Sequence, residues 1–472
     1  MAFEYGSCDG NCDEDVDLIT KKKRKAYKYM NDIELYLLKR ATMRWRSNLM
    51  LMSGCLSACA MSVPVFSYGA MIPYIYSYLW MNGERFDMRH LNLHPSLFLI
   101  FVTCCGSLIG LLSKFCNERV LYAIFSVGLT LVMTSIYWFG KTYVSLSLYM
   151  CALGFFGGNV LVFTIGKATE WNPSKSGAAN GIIGFFIGMS GFIGSFICTL
   201  YVNPGNIGMD RVTDPLYPEL GNVTIFMSSN VYMKVPYLWI IFAGMFATLL
   251  IPSILFVRSP TPEEVCEMIP LTDDSEDDHK AIKSEKDYSV RQMLGSFKFY
   301  FLYIIVMTMS LALLSSSELY KEIAKETILD DHFLNVTGAV LAIANAFGRL
   351  LWGIFMDRAG ARLSLFLAFL MITPSTITLY WSRHFPWLYL FNVCCLSFSS
   401  GIFTGVAPAL VELFGARDIS LKYSVCLSGE MFGCALFYIL SVGSVKIYNE
   451  LVFLCLLAAP CGLSCILAII FI

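Results

Sequence analysis

Twelve apolar runs of about twenty residues or more recur along this chain of 472 residues. They lie near 48–80, 95–113, 120–139, 143–166, 178–201, 236–257, 296–316, 334–356, 363–381, 387–411, 423–445 and 449–472. A helix crossing the roughly 30 Å hydrocarbon core of a bilayer needs about 20 apolar residues, so each run is long enough to span. Only 15% of residues are charged, against about a quarter in soluble domains. The runs therefore predict an all-α, multi-pass membrane protein with twelve transmembrane helices. Adjacent cysteines such as Cys104-Cys105 and Cys394-Cys395 fall inside apolar runs, where a thiol behaves as a small hydrophobe, and no disulfide framework is expected. Cys8 and Cys12 instead lie in a polar tail, read as solvated, with palmitoylation or metal binding as alternatives.

The charges arrange these runs. Residues 1–46 hold the cluster Lys21-Lys22-Lys23-Arg24-Lys25, then Lys39, Arg40, Arg44 and Arg46. Basic residues beside a first span place the N-terminus in the cytosol, and in a multi-pass chain they argue for a lipid surface rather than nucleic acid. Residues 258–294 carry Glu263, Asp273, Asp277 and other acids among several lysines, too charged to build a core. The chain thus divides into a basic cytosolic tail (1–46), a six-helix half (47–257), a cytosolic linker (258–294) and a second six-helix half (295–472). The polar stretch 202–235 is an external loop on this topology, and its acceptor sequon Asn222-Val-Thr224 agrees.

The first run is too long for one straight crossing and contains Pro64, Gly69 and Pro73. Such interruptions face the substrate path in many carriers, although a helix that extends past the membrane explains them too. Its aromatic series Phe66, Tyr68, Tyr74, Tyr76 and Tyr78 either lines a cavity or anchors the outer interface; Tyr68 and Tyr74 are taken as candidate substrate contacts. In the fifth run Gly181, Gly184, Gly188, Gly191 and Gly194 share one helical face. That face suits close packing, or a surface that slides during conformational change.

Within the eighth run stands Asn345-Ala-Phe-Gly348-Arg349, followed, from its end into the turn before the ninth, by Gly353-x-x-x-Asp357-Arg358-x-Gly360-x-Arg362. Gly360 suits a tight turn and Gly353 a close helix contact, while Asp357, Arg358 and Arg362 can bond across helix ends in one state and release in another. This string resembles the loop signature of the major facilitator superfamily of secondary transporters. A degenerate copy from Gly110 to Arg119 follows the second run, with Asn117 in the place of the turn glycine and Lys114 in that of the acid. Asn tolerates a left-handed turn, and the repetition suggests an internal duplication. Trp171-Asn-Pro173, Gly177, Ala179 and Gly181 further resemble a loop of the oxalate/formate antiporter and monocarboxylate transporter branch, as does Phe414-Gly415. The resemblance implies the major facilitator fold, in two pseudo-symmetric six-helix halves, and secondary transport without cofactor, metal or enzymatic chemistry by a protein functional as a monomer.

Arg349 lies eight residues before Asp357, about 12 Å along a helix, and so near mid-membrane. An arginine there costs about 2.5–3.5 kcal/mol on insertion scales, which demands a partner or a watery cavity. Asn345 is one turn away on the same face, and Glu430 is a second buried charge at similar depth. The resemblance places at Arg349 the arginine that binds an anion's carboxylate. It puts Glu430 where the oxalate carriers have a lysine, a reversal that disfavours a dicarboxylate and suits a monocarboxylate or a proton-coupled carrier. No lysine stands between Arg46 and Asn82, where monocarboxylate carriers tend to use one. Other readings stay open: Arg349 and Glu430 permanently paired in a carrier of a neutral or zwitterionic solute, or a transporter-like sensor that moves nothing.

Overall fold

The computed structural model describes residues 41–471 apart from 107, 114, 173–174, 206, 214–221, 261–263, 265–287, 325–326, 329–330 and 448–449. Eleven helical stretches among the described residues are long and apolar enough to cross a membrane. One of them, Val336–Ser382, runs for 47 residues, about 70 Å, or twice what a crossing needs. It breaks at Gly360, whose φ of 79° and ψ of 167° belong to a region essentially restricted to glycine. Counted as two, it brings the crossings to the twelve expected.

Span 1 is helix Ala41–Phe66, continued after Ser67 by Tyr68–Met81. The interruption falls at Ser67, while Pro64 and Pro73 both sit within helix. Spans 2 to 6 are Leu93–Leu112, Glu118–Phe139, Tyr143–Trp171, Ser176–Val202 and Val235–Phe256. Span 7 is Phe297–Ala324, and spans 8 and 9 are the two arms of Asp331–Ser382. Span 10 begins as Pro386–Ser400, tightens into a 3-10 turn at Gly401–Gly405 and ends as Val406–Phe414. Spans 11 and 12 are Ile419–Ile447 and Glu450–Phe471.

Several polar groups inside this apolar bundle are bonded in sets, since an unpaired one has no water to turn to. In the first half, Ser253 of span 6 meets Ser53 at 2.7 Å and Tyr122 of span 3 at 2.7 Å, and Ser57 joins at 2.9 Å. In the second half Thr308 and Ser464 tie spans 7 and 12 at 2.6 Å. Lys422 is fully buried, yet its Nζ donates to the carbonyls of Phe414 at 2.7 Å and Gly415 at 3.0 Å. A cation on the last carbonyls of span 10 complements the helix dipole and shares the Phe414 carbonyl with the Tyr288 N–H at 3.1 Å.

Three local expectations change. Asn117 is extended, with φ −64° and ψ 124°, and accepts from the Arg119 N–H: it caps span 3, a task its side chain performs without a left-handed turn. The stretch 202–235 is more than a polar loop. Strand β1, Asp210–Thr213, pairs antiparallel with β2, Asn222–Ile225, because Ile225 and Phe226 bury against span 1, where the Phe226 N–H reaches Ser77 Oγ at 2.9 Å. The end of the charged stretch 258–294 is helical over Val290–Leu294, opened by a Ser289–Gln292 capping box. Lys114, Cys8, Cys12 and most of that stretch lie outside the described residues.

Candidate functional site

Span 5 organises the junction between the halves. Toward Asp357 its glycine face meets span 8: a Cβ added at Gly188 would stand 2.6 Å from the Ala346 Cα, and one at Gly184 3.1 Å from the Arg349 Cβ. Farther along, a Cβ at Gly191 would stand 2.8 Å from the Phe66 Cβ of span 1. A single glycine face therefore packs on the partner half with one part and on its own half with the other. Real Cβ contacts do not come this close, so backbone touches backbone along this seam.

At the seam's end Asp357 accepts two backbone hydrogen bonds, from Gly177 N–H at 2.7 Å and Ala178 N–H at 2.6 Å. These N–H groups open span 5, where the first donors of a helix have no internal partner and the dipole favours an anion. Gly353 lies against the Gly177 carbonyl, an approach a side chain would block. Gly360 makes the turn, and beyond it the Ala361 N–H donates to Glu412 at 2.7 Å, so Glu412 caps span 9. Arg358 and Arg362 stand exposed and form no ion pair among the described residues. In the first half the corresponding charges join spans 3 and 4: Lys167 meets Glu170 at 2.9 Å and Glu118 at 3.2 Å, and Ser259 donates to Glu118.

Arg349 is 2% exposed, half a helix from that seam end. Its Nε donates to Asn345 Oδ1 at 2.7 Å, and Asn345 is itself held by Nδ2 bonds to Ser397 O and Ser400 Oγ, both at 3.0 Å. Its Cζ lies 5.7 Å from the centre of the Phe66 ring. No hydrogen bond or ion pair engages its two terminal amino groups among the described residues. Glu430 is 3% exposed, eleven residues into span 11, and its carboxylate likewise has no such partner. The two charges interact electrostatically, as do Arg349 and Tyr423, but no ion pair joins them. The arrangement is a positioned guanidinium with two amino groups unengaged among the described residues, and a separate buried acid. Unpaired buried charges are costly until something complements them.

The structure brings Asn345 and Arg349 together with Glu430 nearby. It sets Tyr68 and Tyr74 apart: the Tyr68 phenol bonds His94 Nδ1, whose Nε2 meets Ser147 Oγ at 2.9 Å, and the Tyr74 ring stacks on Phe226 at 5.1 Å. Neither touches Arg349 or Glu430 among the described residues. Phe66 and Tyr423 enter instead. Phe66 was visible as one aromatic in a row of five, but only the helix end at Ser67 selects it.

No family model matches the chain, and no curated protein matches it in sequence. Among solved structures it is similar to the human organic anion transporter MFSD10 (TETRAN), with a TM-score of 0.60 at 12% identity over 90% of this chain and 99% of that one. At that identity the likeness is one of fold, and the fold is that of the major facilitator superfamily.

Proposed function

We propose that the chain is a secondary active transporter of small organic anions, monocarboxylates foremost, working by alternating access with a proton as the coupling ion. The observation that carries this reading is the buried, oriented Arg349 with two terminal amino groups unengaged among the described residues, and the buried Glu430, whose carboxylate likewise has no hydrogen-bond or ion-pair partner there. The fold supports it, as does the organic-anion transport named for a structural neighbour. Arg349 takes the carboxylate. Glu430 holds a proton while the anion is bound and releases it on the other side, which spares the anion a facing negative charge. The missing ion pair tells against the alternative in which the two residues stay locked together around a neutral solute. On this reading the basic tail and the charged linker are cytosolic, the linker tethers the two halves, and the bonds from Asp357 to span 5 close the cytosolic gate.

The test is uptake of labelled formate, lactate, pyruvate and oxalate, driven by a pH gradient, into liposomes holding the purified protein, with protein-free liposomes as baseline. Uptake of a monocarboxylate that Arg349→Ala abolishes, and whose pH dependence Glu430→Gln removes, is the expected result. A folded protein that moves none of the four acids would sink the reading.

A further inference from the structure

We propose that Phe66 and Arg349 form a single seat for a monocarboxylate with a flat, apolar body, an aryl carboxylate being the simplest case. The carboxylate lies on the guanidinium and the body lies on the ring. The inference rests on the carrier reading above and narrows its substrate.

Two observations lead to it. First, the ring and the guanidinium come from different halves, yet both are set by the same helix face: Gly191 presses on Phe66 and Gly184 on Arg349. Phe66 ends its helix, the chain turning at Ser67, so its ring sits at a break in span 1 beside the cation. Second, the contact is loose. The 5.7 Å from the Arg349 Cζ to the ring centre is near the outer limit of about 6 Å for a cation–π pair. Phe66 is only partly buried, and the Arg349 terminal amino groups are unengaged among the described residues. Ring and guanidinium thus present adjoining surfaces, one apolar and flat, the other cationic and flat, which match the two parts of an aryl carboxylate. The Tyr423 hydroxyl, also without a hydrogen bond among the described residues, adds a donor on the span 11 side. Glu430 on that same span, protonated while the anion is bound, offers a second carboxylate no cation to pair with.

Binding to the purified protein in detergent tests this without the passive leak of lipophilic acids. Calorimetric titrations with benzoate, lactate and oxalate are run on the wild type, Phe66→Leu and Arg349→Ala. Benzoate is expected to bind most tightly. Phe66→Leu, which keeps apolar bulk and loses the ring, is expected to weaken benzoate about threefold to tenfold, the range of an aromatic pair, and to leave lactate within about twofold. Equal affinities of the wild type for benzoate and lactate, or an equal loss of both in Phe66→Leu, would overturn the aryl seat and leave the carrier intact. Binding of no acid, or indifference to Arg349→Ala, would overturn the carrier reading itself.

Discussion

Replacing Asp357 by Asn isolates the contact that holds the halves together at one end. The aspartate accepts from two N–H groups, Gly177 at 2.7 Å and Ala178 at 2.6 Å, at the first turn of span 5. Asparagine keeps one acceptor oxygen and turns an NH2 toward the other N–H, so one bond is lost and the remaining one becomes neutral. A charge-assisted hydrogen bond contributes about 1.5–3 kcal/mol and a neutral one about 1 kcal/mol. Because Asp357 is solvent-accessible, the low end applies, and the closed arrangement should lose about 2 kcal/mol. That is about 30-fold in the equilibrium between closed and open ends, at 1.4 kcal/mol per factor of ten. Hydrogen–deuterium exchange followed by mass spectrometry reads it directly: amides in 176–188 and 345–357 should exchange about 30-fold faster. Arg358→Gln, which removes an exposed cation that has no ion pair among the described residues, should leave both segments unchanged. Unchanged exchange in a folded Asp357→Asn protein would refute the reasoning, since the bonds would then contribute nothing to closure.

Two further substitutions probe packing and capping. Gly188→Leu places a side chain where the Ala346 backbone stands 2.6 Å from a Cβ; overpacking of about 1–3 kcal/mol should stop the halves closing, cutting uptake at least tenfold while circular dichroism stays helical. Lys422→Met leaves the Phe414 and Gly415 carbonyls without that donor in a buried place, so the Tm of the purified protein should fall, by a loss of about 1–3 kcal/mol.

The apolar runs determined the class and the number of crossings by themselves, because span length is a one-dimensional requirement set by bilayer thickness. The turn at Gly360 was legible for a similar reason: the conformation it adopts is open to very few residue types, so the glycine marks it. Arg349 declared itself through cost, a cation that had to be eight residues inside a span. Tertiary structure decided the rest. Whether Arg349 and Glu430 pair or stand apart depends on the rotation of spans 8 and 11 about their own axes, which hydropathy does not encode. Tyr68 and Phe66 are two residues apart in sequence, yet one faces His94 inside its own half and the other faces the guanidinium of the partner half. Residues two apart on a helix already point about 200° apart; which partner each meets is decided by packing between residues far apart in the chain, for Phe66 by the glycine face of span 5. The capping roles of Lys422 and Glu412 are not visible in the sequence, because a cap is defined by where another helix stops.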